Sequence, residues 1–175
     1  PPFAVAFSGG VDSTFLAKVS HDVAGGDALA VTVRTEAYPP ETLEEASSLA
    51  DYIGIRHIII DAKACEIPGF SENAPERCYH CKLALFKLMR EEVKKEGCDI
   101  LLDGSNADDR DDYRPGMRAL TELGIKSPLQ EAGLTKADIR ALSKLYELPT
   151  WNRQSFACLA SRFPYGTRTA LPPRR

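Results

Sequence analysis

The feature that most constrains this chain is a pair of glycines between a strand-like run and a helix-like run near its beginning. Residues 3–7 are apolar and typical of a buried strand, and residues 15–19 have the pattern of a helix. Between them, Gly9 and Gly10 let the backbone turn tightly and let an anion approach without a Cβ in the way. The start of the following helix offers unpaired N–H groups and the positive end of its dipole. The junction therefore predicts an anion site, and a nucleotide phosphate is the expected anion.

Residues 8–13, called the glycine loop below, indicate which kind of phosphate loop this is. A Walker loop needs a lysine followed by serine or threonine, but no lysine stands between Ser8 and Thr14, and the fingerprint G-x-G-x-x-G is also missing. The hexapeptide Ser-Gly-Gly-Val-Asp-Ser resembles the PP-loop of the ATP pyrophosphatases, which split ATP between its α and β phosphates. The alternative is a strand–turn–helix connection in which the two glycines only allow the tight turn and bind no phosphate. The resemblance implies ATP contacts from the loop residues Ser8, Gly9, Gly10, Asp12 and Ser13.

Strand-like and helix-like segments alternate along the rest of the chain. Further strands are predicted at Ala28–Arg34, Arg56–Asp61 and 99–103, with a short fifth strand at 126–129. Helices are predicted at about 41–53, 82–95, 116–123 and 136–146. This order predicts an α/β fold, a parallel sheet with helices on both faces. Ligands of such sheets bind beyond the carboxyl ends of the strands, so we expect the loops after Phe7, Arg34, Asp61 and Asp103 to share one rim.

The loop after the fourth predicted strand is dense in carboxylates. Such carboxylates repel one another unless a cation lies among them. ATP arrives with Mg²⁺, which prefers one or two carboxylates plus phosphate oxygens, and Asp12 and Asp108 are our candidates to approach the nucleotide and the metal. Ser105 and Asn106 are expected nucleotide contacts, because a loop directly after a strand is where sites lie. We expect the remaining carboxylates to form a solvated face: Asp109, Asp111 and Asp112.

Composition narrows the function classes. The formal net charge is −3, so no basic surface suggests nucleic acid, and a tRNA substrate is disfavoured without being excluded. The five cysteines are odd in number and unlike a secreted disulfide framework. No apolar stretch is long enough to span a bilayer and no signal peptide is recognisable, so a cytoplasmic location is expected. Two of the cysteines, Cys65 and Cys98, lie in ordinary local patterns and are expected to serve packing.

The other three cysteines are a candidate metal site. Cys78 and Cys81 form a C-x-x-C just before a predicted helix, where the helix dipole favours thiolates, and Cys158 lies far along the chain. A structural zinc wants four ligands, and His80 is the candidate fourth. An iron–sulfur cluster held by three cysteines leaves one iron open for chemistry. A redox dithiol and three unrelated thiols are the other interpretations, and the C-x-x-C alone leaves them open.

Five motifs in the same order make the chain resemble the LarE family, ATP-dependent sulfur transferases that build the nickel-pincer nucleotide of lactate racemase. The motifs are residues 8–13, 75–82, 103–109, 112–116 and 158–166. The resemblance implies that ATP adenylates a carboxylate of pyridinium-3,5-biscarboxylic acid mononucleotide. It further implies that sulfur then displaces AMP to give the thiocarboxylate, with a sulfide donor as the other partner.

The family resemblance implies two ways of supplying sulfur. In one, a cysteine matching Cys158 gives up its own sulfur; in the other, cysteines matching Cys78, Cys81 and Cys158 hold a 4Fe-4S cluster. All three are present, so the chain resembles the cluster-bearing kind. The PP-loop resemblance also suggests that the backbone near Val33 meets adenine.

Two arginines are candidate substrate contacts. Arg118 and Arg162 are expected to hold the substrate's phosphate or second carboxylate, since a guanidinium fork suits both groups. A surface ion pair is the alternative for each.

The resemblance also implies a domain plan. Residues 1–150 match a PP-loop ATP pyrophosphatase domain, and residues 151–175 match the start of a C-terminal sulfur-transfer and substrate region whose remainder is absent here. The resemblance further implies that the protein forms a homo-oligomer. Two further alternatives stay open: a cluster-dependent PP-loop tRNA thiolase, and a non-catalytic nucleotide-binding module with a structural zinc.

Overall fold

Four parallel strands form the centre of the molecule. The computed structural model describes residues 1–110 and 115–168. The strands are β1 (Phe3–Ala6), β2 (Ala28–Arg34), β3 (Arg56–Asp61) and β4 (Ile100–Leu102). All neighbouring strands are parallel, and their order in the sheet is β3-β2-β1-β4. The predicted α/β fold with a parallel sheet is confirmed.

Helices cover both faces of this sheet. They are α1 (Val11–Ala24), α2 (Pro40–Ile53), α3 (Arg77–Lys95), α4 (Pro115–Glu122), α5 (Pro128–Glu131) and α6 (Lys136–Leu145). Successive strand residues point to opposite faces, so Val5 packs in a core with α1, α2 and α6, whereas Ala4 packs in a second core with α3 and α4. Within the described ranges, no helix combines the length and the apolar character that crossing a membrane requires.

Two predicted element boundaries differ from the structure. The predicted fifth strand at 126–129 is wrong: Lys126 forms one isolated parallel bridge to Leu102, and the chain then enters α5. The reason is Pro128, which has no N–H for a strand ladder and whose fixed φ suits the first turn of a helix. Helix α3 begins at Arg77 rather than at residue 82, so the C-x-x-C lies in its first turn.

The start of α6 is fixed by a capping box. Thr135 N and Thr135 Oγ1 both contact Asp138 Oδ2, and Asp138 N donates to Thr135 Oγ1 over 3.2 Å. We expect Thr135→Ala to lower the free energy of unfolding by about 1 kcal/mol, because the first-turn N–H groups lose their acceptor. Thr135→Ser keeps the hydroxyl and should lose less than half of that. Urea denaturation of the three proteins measures the difference; equal stability of Thr135→Ala and wild type would contradict it.

Candidate functional site

The glycine loop closes on itself through its two serines. Ser8 Oγ and Ser13 Oγ lie 3.1 Å apart, and Ser13 Oγ donates to Gly10 O over 3.3 Å. The first backbone bond of α1 runs from Thr14 N to Gly10 O over 2.9 Å. The N–H groups of residues 11–13 precede that bond and have no acceptor among the described residues. They are therefore available to an anion at the positive end of α1.

Two glycines allow other elements to approach this loop closely. Gly9 has φ +71°, and a Cβ built on it would lie 3.3 Å from Ala46 Cα in α2. Gly104, which follows β4, packs so tightly that its Cβ would lie 3.1 Å from Ser13 N. The loop after β4 therefore lies against the start of α1, as expected for loops on one rim of a parallel sheet.

Lys136 joins the two carboxylates that the sequence offers to the nucleotide and its metal. Its Nζ lies 2.6 Å from Asp12 Oδ2, and its backbone N donates to Asp108 Oδ2 over 2.9 Å. Asp12 Oδ1 is buried and has no hydrogen-bond partner among the described residues. A carboxylate oxygen left unpaired beside an anion site fits a Mg²⁺ ligand.

Sequence reasoning missed Lys136, although one signal was present. It follows the cap residue Thr135, so it stands in the first turn of a helix. A cation at that end opposes the helix dipole and needs another reason to be there.

The loop after β4 is more buried than predicted. Ser105 and Asn106 are buried, and Asn106 Oδ1 accepts from Asp108 N over 3.0 Å. The expectation of a solvated face is wrong for Asp109, which is 8% exposed and accepts from Asn106 N over 2.9 Å. The buried backbone N–H of Asn106 needs an acceptor, and the carboxylate supplies it. Asp111 and Asp112 lie outside the described residues.

The remaining predicted contacts occupy different surroundings. Val33 is paired in register with Ile60 near the end of β2, and its side chain packs on the second core. Arg118 lies 3.9 Å from the ring of Tyr79 and 3.3 Å from Glu76 Oε1, so its guanidinium has surface partners. Arg162 is exposed and lies 5.7 Å from a phenylalanine ring. A substrate or nucleotide role for these three residues stays a prediction.

The fold brings the three distant cysteines together. Cys78 and Cys81 lie in the first turn of α3, and Cys158 comes just before the 3-10 helix Leu159–Arg162. Cys81 and Cys158 pack against one small apolar cluster, which is made of Ala37, Ala64, Phe70 and Ala160. All three thiols are free and partly buried. The structure therefore groups residues that lie up to 80 positions apart in the printed sequence.

The three thiols also act on one another electrostatically. Burial raises the pKa of Cys81 to about 12, with further contributions from Cys158 and Cys78, while Arg77 acts in the opposite direction. Desolvation, followed by the charges of the same three cysteines, raises the pKa of Tyr38. The Cys81 thiol therefore stays protonated at neutral pH when nothing is bound to it.

The three thiols and His80 do not converge on a single point. Among residues 1–110 and 115–168, no three His, Cys, Asp or Glu side chains are placed to hold one metal ion. In a cluster each thiolate binds a different iron, so the thiolates need not converge on one point. The candidate fourth zinc ligand, His80, lies 4.0 Å from Glu76 and packs edge-on against the ring of Tyr79.

Comparison with known proteins shows which sequences this chain resembles. The sequence model of the asparagine synthase family matches residues 1–110. The chain is 42% identical over 162 residues to an uncharacterized protein of Synechocystis, covering 93% of this chain and 60% of that protein. It is 37% identical over 166 residues to the pyridinium-3,5-bisthiocarboxylic acid mononucleotide synthase of Lactiplantibacillus plantarum. This match covers 93% of this chain and 59% of that protein.

The chain is also similar, over a smaller part of its length, to an enzyme named for tRNA thiolation. The chain is 33% identical over 120 residues to the tRNA-specific 2-thiouridylase of Treponema denticola, covering 59% of this chain and 32% of that protein. The chain spans about three fifths of the length of the first two relatives. Because the family model covers more than half of the chain and includes the glycine loop, the chain belongs to the asparagine synthase family of PP-loop domains, as a member of the LarE type.

Proposed function

We propose that this chain is the ATP-using part of a sulfur transferase that acts on pyridinium-3,5-biscarboxylic acid mononucleotide. The observation that carries the proposal is the placement of two unlike sites at one edge of the sheet. The glycine loop follows β1, and Leu159 N, next to Cys158, donates to Ala37 O in the loop after β2 over 2.9 Å. The glycine loop and the Cys158 segment thus both adjoin loops at the carboxyl ends of strands, which supports a substrate that reaches both.

The glycine loop serves the adenylation half of the reaction. The free N–H groups of residues 11–13 hold the phosphates of ATP, and Lys136 neutralises their charge. Asp12 and Asp108 would hold Mg²⁺, which supplies further positive charge to the phosphates. The substrate carboxylate then attacks the α-phosphorus and pyrophosphate leaves, so catalysis is mainly positioning and charge stabilisation.

The three thiols serve the sulfur half. Cys78, Cys81 and Cys158 would hold a 4Fe-4S cluster, which supplies sulfur at the iron that the protein leaves open. Residues around them orient the acyl adenylate: Arg162, four positions after Cys158, offers an exposed guanidinium for the substrate's phosphate or second carboxylate. Arg118 would join it by exchanging Glu76 for the substrate. The products are the thiocarboxylate and AMP.

The test uses the complete protein, purified without oxygen and analysed for iron and acid-labile sulfide. It is then incubated with ATP and sulfide, with and without the pyridinium dicarboxylate nucleotide, and AMP is measured. AMP formation that depends on the nucleotide supports the proposal. AMP formation that depends on tRNA instead indicates a thiolase, and one zinc per chain with no AMP indicates a non-catalytic module.

Location and assembly follow the same proposal. All five cysteines are free, which favours a reducing compartment such as the cytoplasm. A homo-oligomer, expected from the family resemblance, stays a prediction that light scattering of the complete protein would check. The division of the chain near residue 150 also stays a prediction.

Lys136 gives a prediction for the nucleotide half. Lys136→Met removes the cation beside Asp12, and we expect the KM for ATP to rise about tenfold, as for the loss of a hydrogen bond to a charged group. The matched control is Lys144→Met, on the same helix, whose Nζ lies 4.9 Å from the ring of Trp151. Steady-state pyrophosphate release measures both variants. An equal rise in KM in the two would show that Lys136 has no special contact with ATP.

A further inference from the structure

A buried asparagine fixes the segment that carries Cys158. Asn73 is fully buried, and its Nδ2 donates to Pro164 O over 2.7 Å and to Phe163 O over 3.2 Å. Its own carbonyl accepts from Gly166 N over 3.0 Å. The backbone of Asn73 has φ +52°, a conformation that asparagine tolerates better than most residues. One side chain and its backbone thus bond to three residues about 90 positions away.

A buried arginine completes the arrangement. Arg77 is 3% exposed, and its Nη1 donates to Asn73 Oδ1 and, over 3.0 Å, to Ala160 O. Its Nη2 lies 3.8 Å from Cys78 Sγ. No carboxylate lies within ion-pair distance of Arg77 in the part of the chain that the structure describes. A buried guanidinium stays charged, so an anionic partner is needed to offset its desolvation.

Apolar packing of the same segment is confined to its beginning, where Cys158 packs against the small apolar cluster that contains Ala160. In residues 159–166, Ala160 is the one buried residue, whereas Phe163 and Tyr165 are 47% and 62% exposed. A backbone hydrogen bond from Leu159 N to Ala37 O also ties the beginning of the segment to the loop after β2. Beyond Ala160 the segment therefore depends on polar bonds from Asn73 and Arg77 more than on burial, and these bonds restrict where Cys158 can lie.

We propose that Asn73 and Arg77 form a clasp that positions Cys158 opposite Cys78 and Cys81, and that Arg77 supplies the fixed positive charge for the anionic thiolate group. The first part concerns the metal-free chain and does not depend on the proposed function. The second part rests on the proposed function, because thiolates are anionic once a metal has displaced their protons.

The clasp is tested by alkylating the metal-free protein under native conditions and locating the modified cysteines by mass spectrometry. In Arg77→Gln and in Asn73→Gly, which keeps the positive φ but removes the side chain, we expect Cys158 to react about tenfold faster. Cys98, which is 3% exposed and packs in the core with α3 and α4, is the internal reference and should react as in wild type. Arg56→Met, on an exposed ion pair with Glu96, is the matched arginine control and should leave the rate of Cys158 as in wild type.

Two results would overturn the clasp. One is an unchanged rate for Cys158 in both variants. The other is an equal rise for Cys158 and Cys98 in both, which would mean that the pair supports the whole fold and not this segment. If one variant fails to fold, the other decides.

The charge is tested separately by anaerobic reconstitution with iron and sulfide. After reconstitution, Arg77→Lys should hold iron near the wild-type amount per chain, whereas Arg77→Gln should lose most of the iron. In the metal-free Arg77→Lys protein, Cys158 should nevertheless be alkylated faster than in wild type. An equal amount of iron per chain in Arg77→Lys and Arg77→Gln would overturn the charge role. Wild-type protein that takes up no iron would refute the cluster and with it the charge role, leaving the clasp to be decided by alkylation.

Discussion

Each of the substitutions Cys78→Ser, Cys81→Ser and Cys158→Ser is expected to lower the rate of sulfur transfer at least about 100-fold. Serine keeps the shape of the side chain, but a hydroxyl is a poor ligand for iron compared with a thiolate. Cys81 and Cys158 pack on one apolar cluster and Cys78 acts electrostatically on Cys81, so the three should act as one group and each single loss should remove the cluster. The glycine loop shares no residue with this group, so ATP–pyrophosphate exchange with the nucleotide substrate should stay within about threefold of wild type.

The comparison of the three variants separates the two routes of sulfur supply. If Cys158→Ser is inactive while Cys78→Ser and Cys81→Ser keep full transfer, the sacrificial route from Cys158 is correct and the cluster is not. Cys98→Ser is the matched control. Cys98 is buried in the core with α3 and α4, so this substitution should leave sulfur transfer unchanged. Product thiocarboxylate is measured by mass spectrometry, together with iron per chain.

Gly9→Ala is expected to lower kcat/KM for ATP at least about tenfold, because even a small shift of the glycine loop misplaces the phosphates that it holds. Two effects combine at this position. The backbone has φ +71°, which costs an alanine about 1–2 kcal/mol. In addition, the new methyl would lie 3.3 Å from Ala46 Cα and 3.4 Å from Leu49 Cδ1, so the glycine loop or α2 must move.

Gly133→Ala separates strain from function. Gly133 also has φ +71°, but a Cβ there meets nothing within 4 Å. In urea denaturation we expect Gly133→Ala to lose stability through backbone strain alone and Gly9→Ala to lose at least as much, and we expect only Gly9→Ala to lose ATP use. Normal kcat/KM in Gly9→Ala would show that the loop tolerates displacement and does not grip the phosphates.

Short-range patterns predicted much of the fold. The strands Ala28–Arg34 and Arg56–Asp61 were predicted with the bounds that the structure has, because short runs rich in β-branched residues favour strands. The prediction failed at 126–129, where a stretch of four residues is too short to distinguish strand from helix. It also failed for Asp109, since burial of a carboxylate in a loop depends on which backbone groups the loop leaves unpaired.

The candidate site divides along the same line. The amino-acid sequence determined the glycine loop, the parallel sheet and the identity of the three thiols, because each rests on local spacing and on backbone preferences of a few neighbouring residues. The tertiary structure alone decided that Cys158 meets Cys78 and Cys81, that Lys136 pairs with Asp12, and that Asn73 and Arg77 hold the segment beyond residue 158. These contacts join residues from about 80 to 124 positions apart. They depend on chain reversals and buried hydrogen bonds that no local pattern encodes.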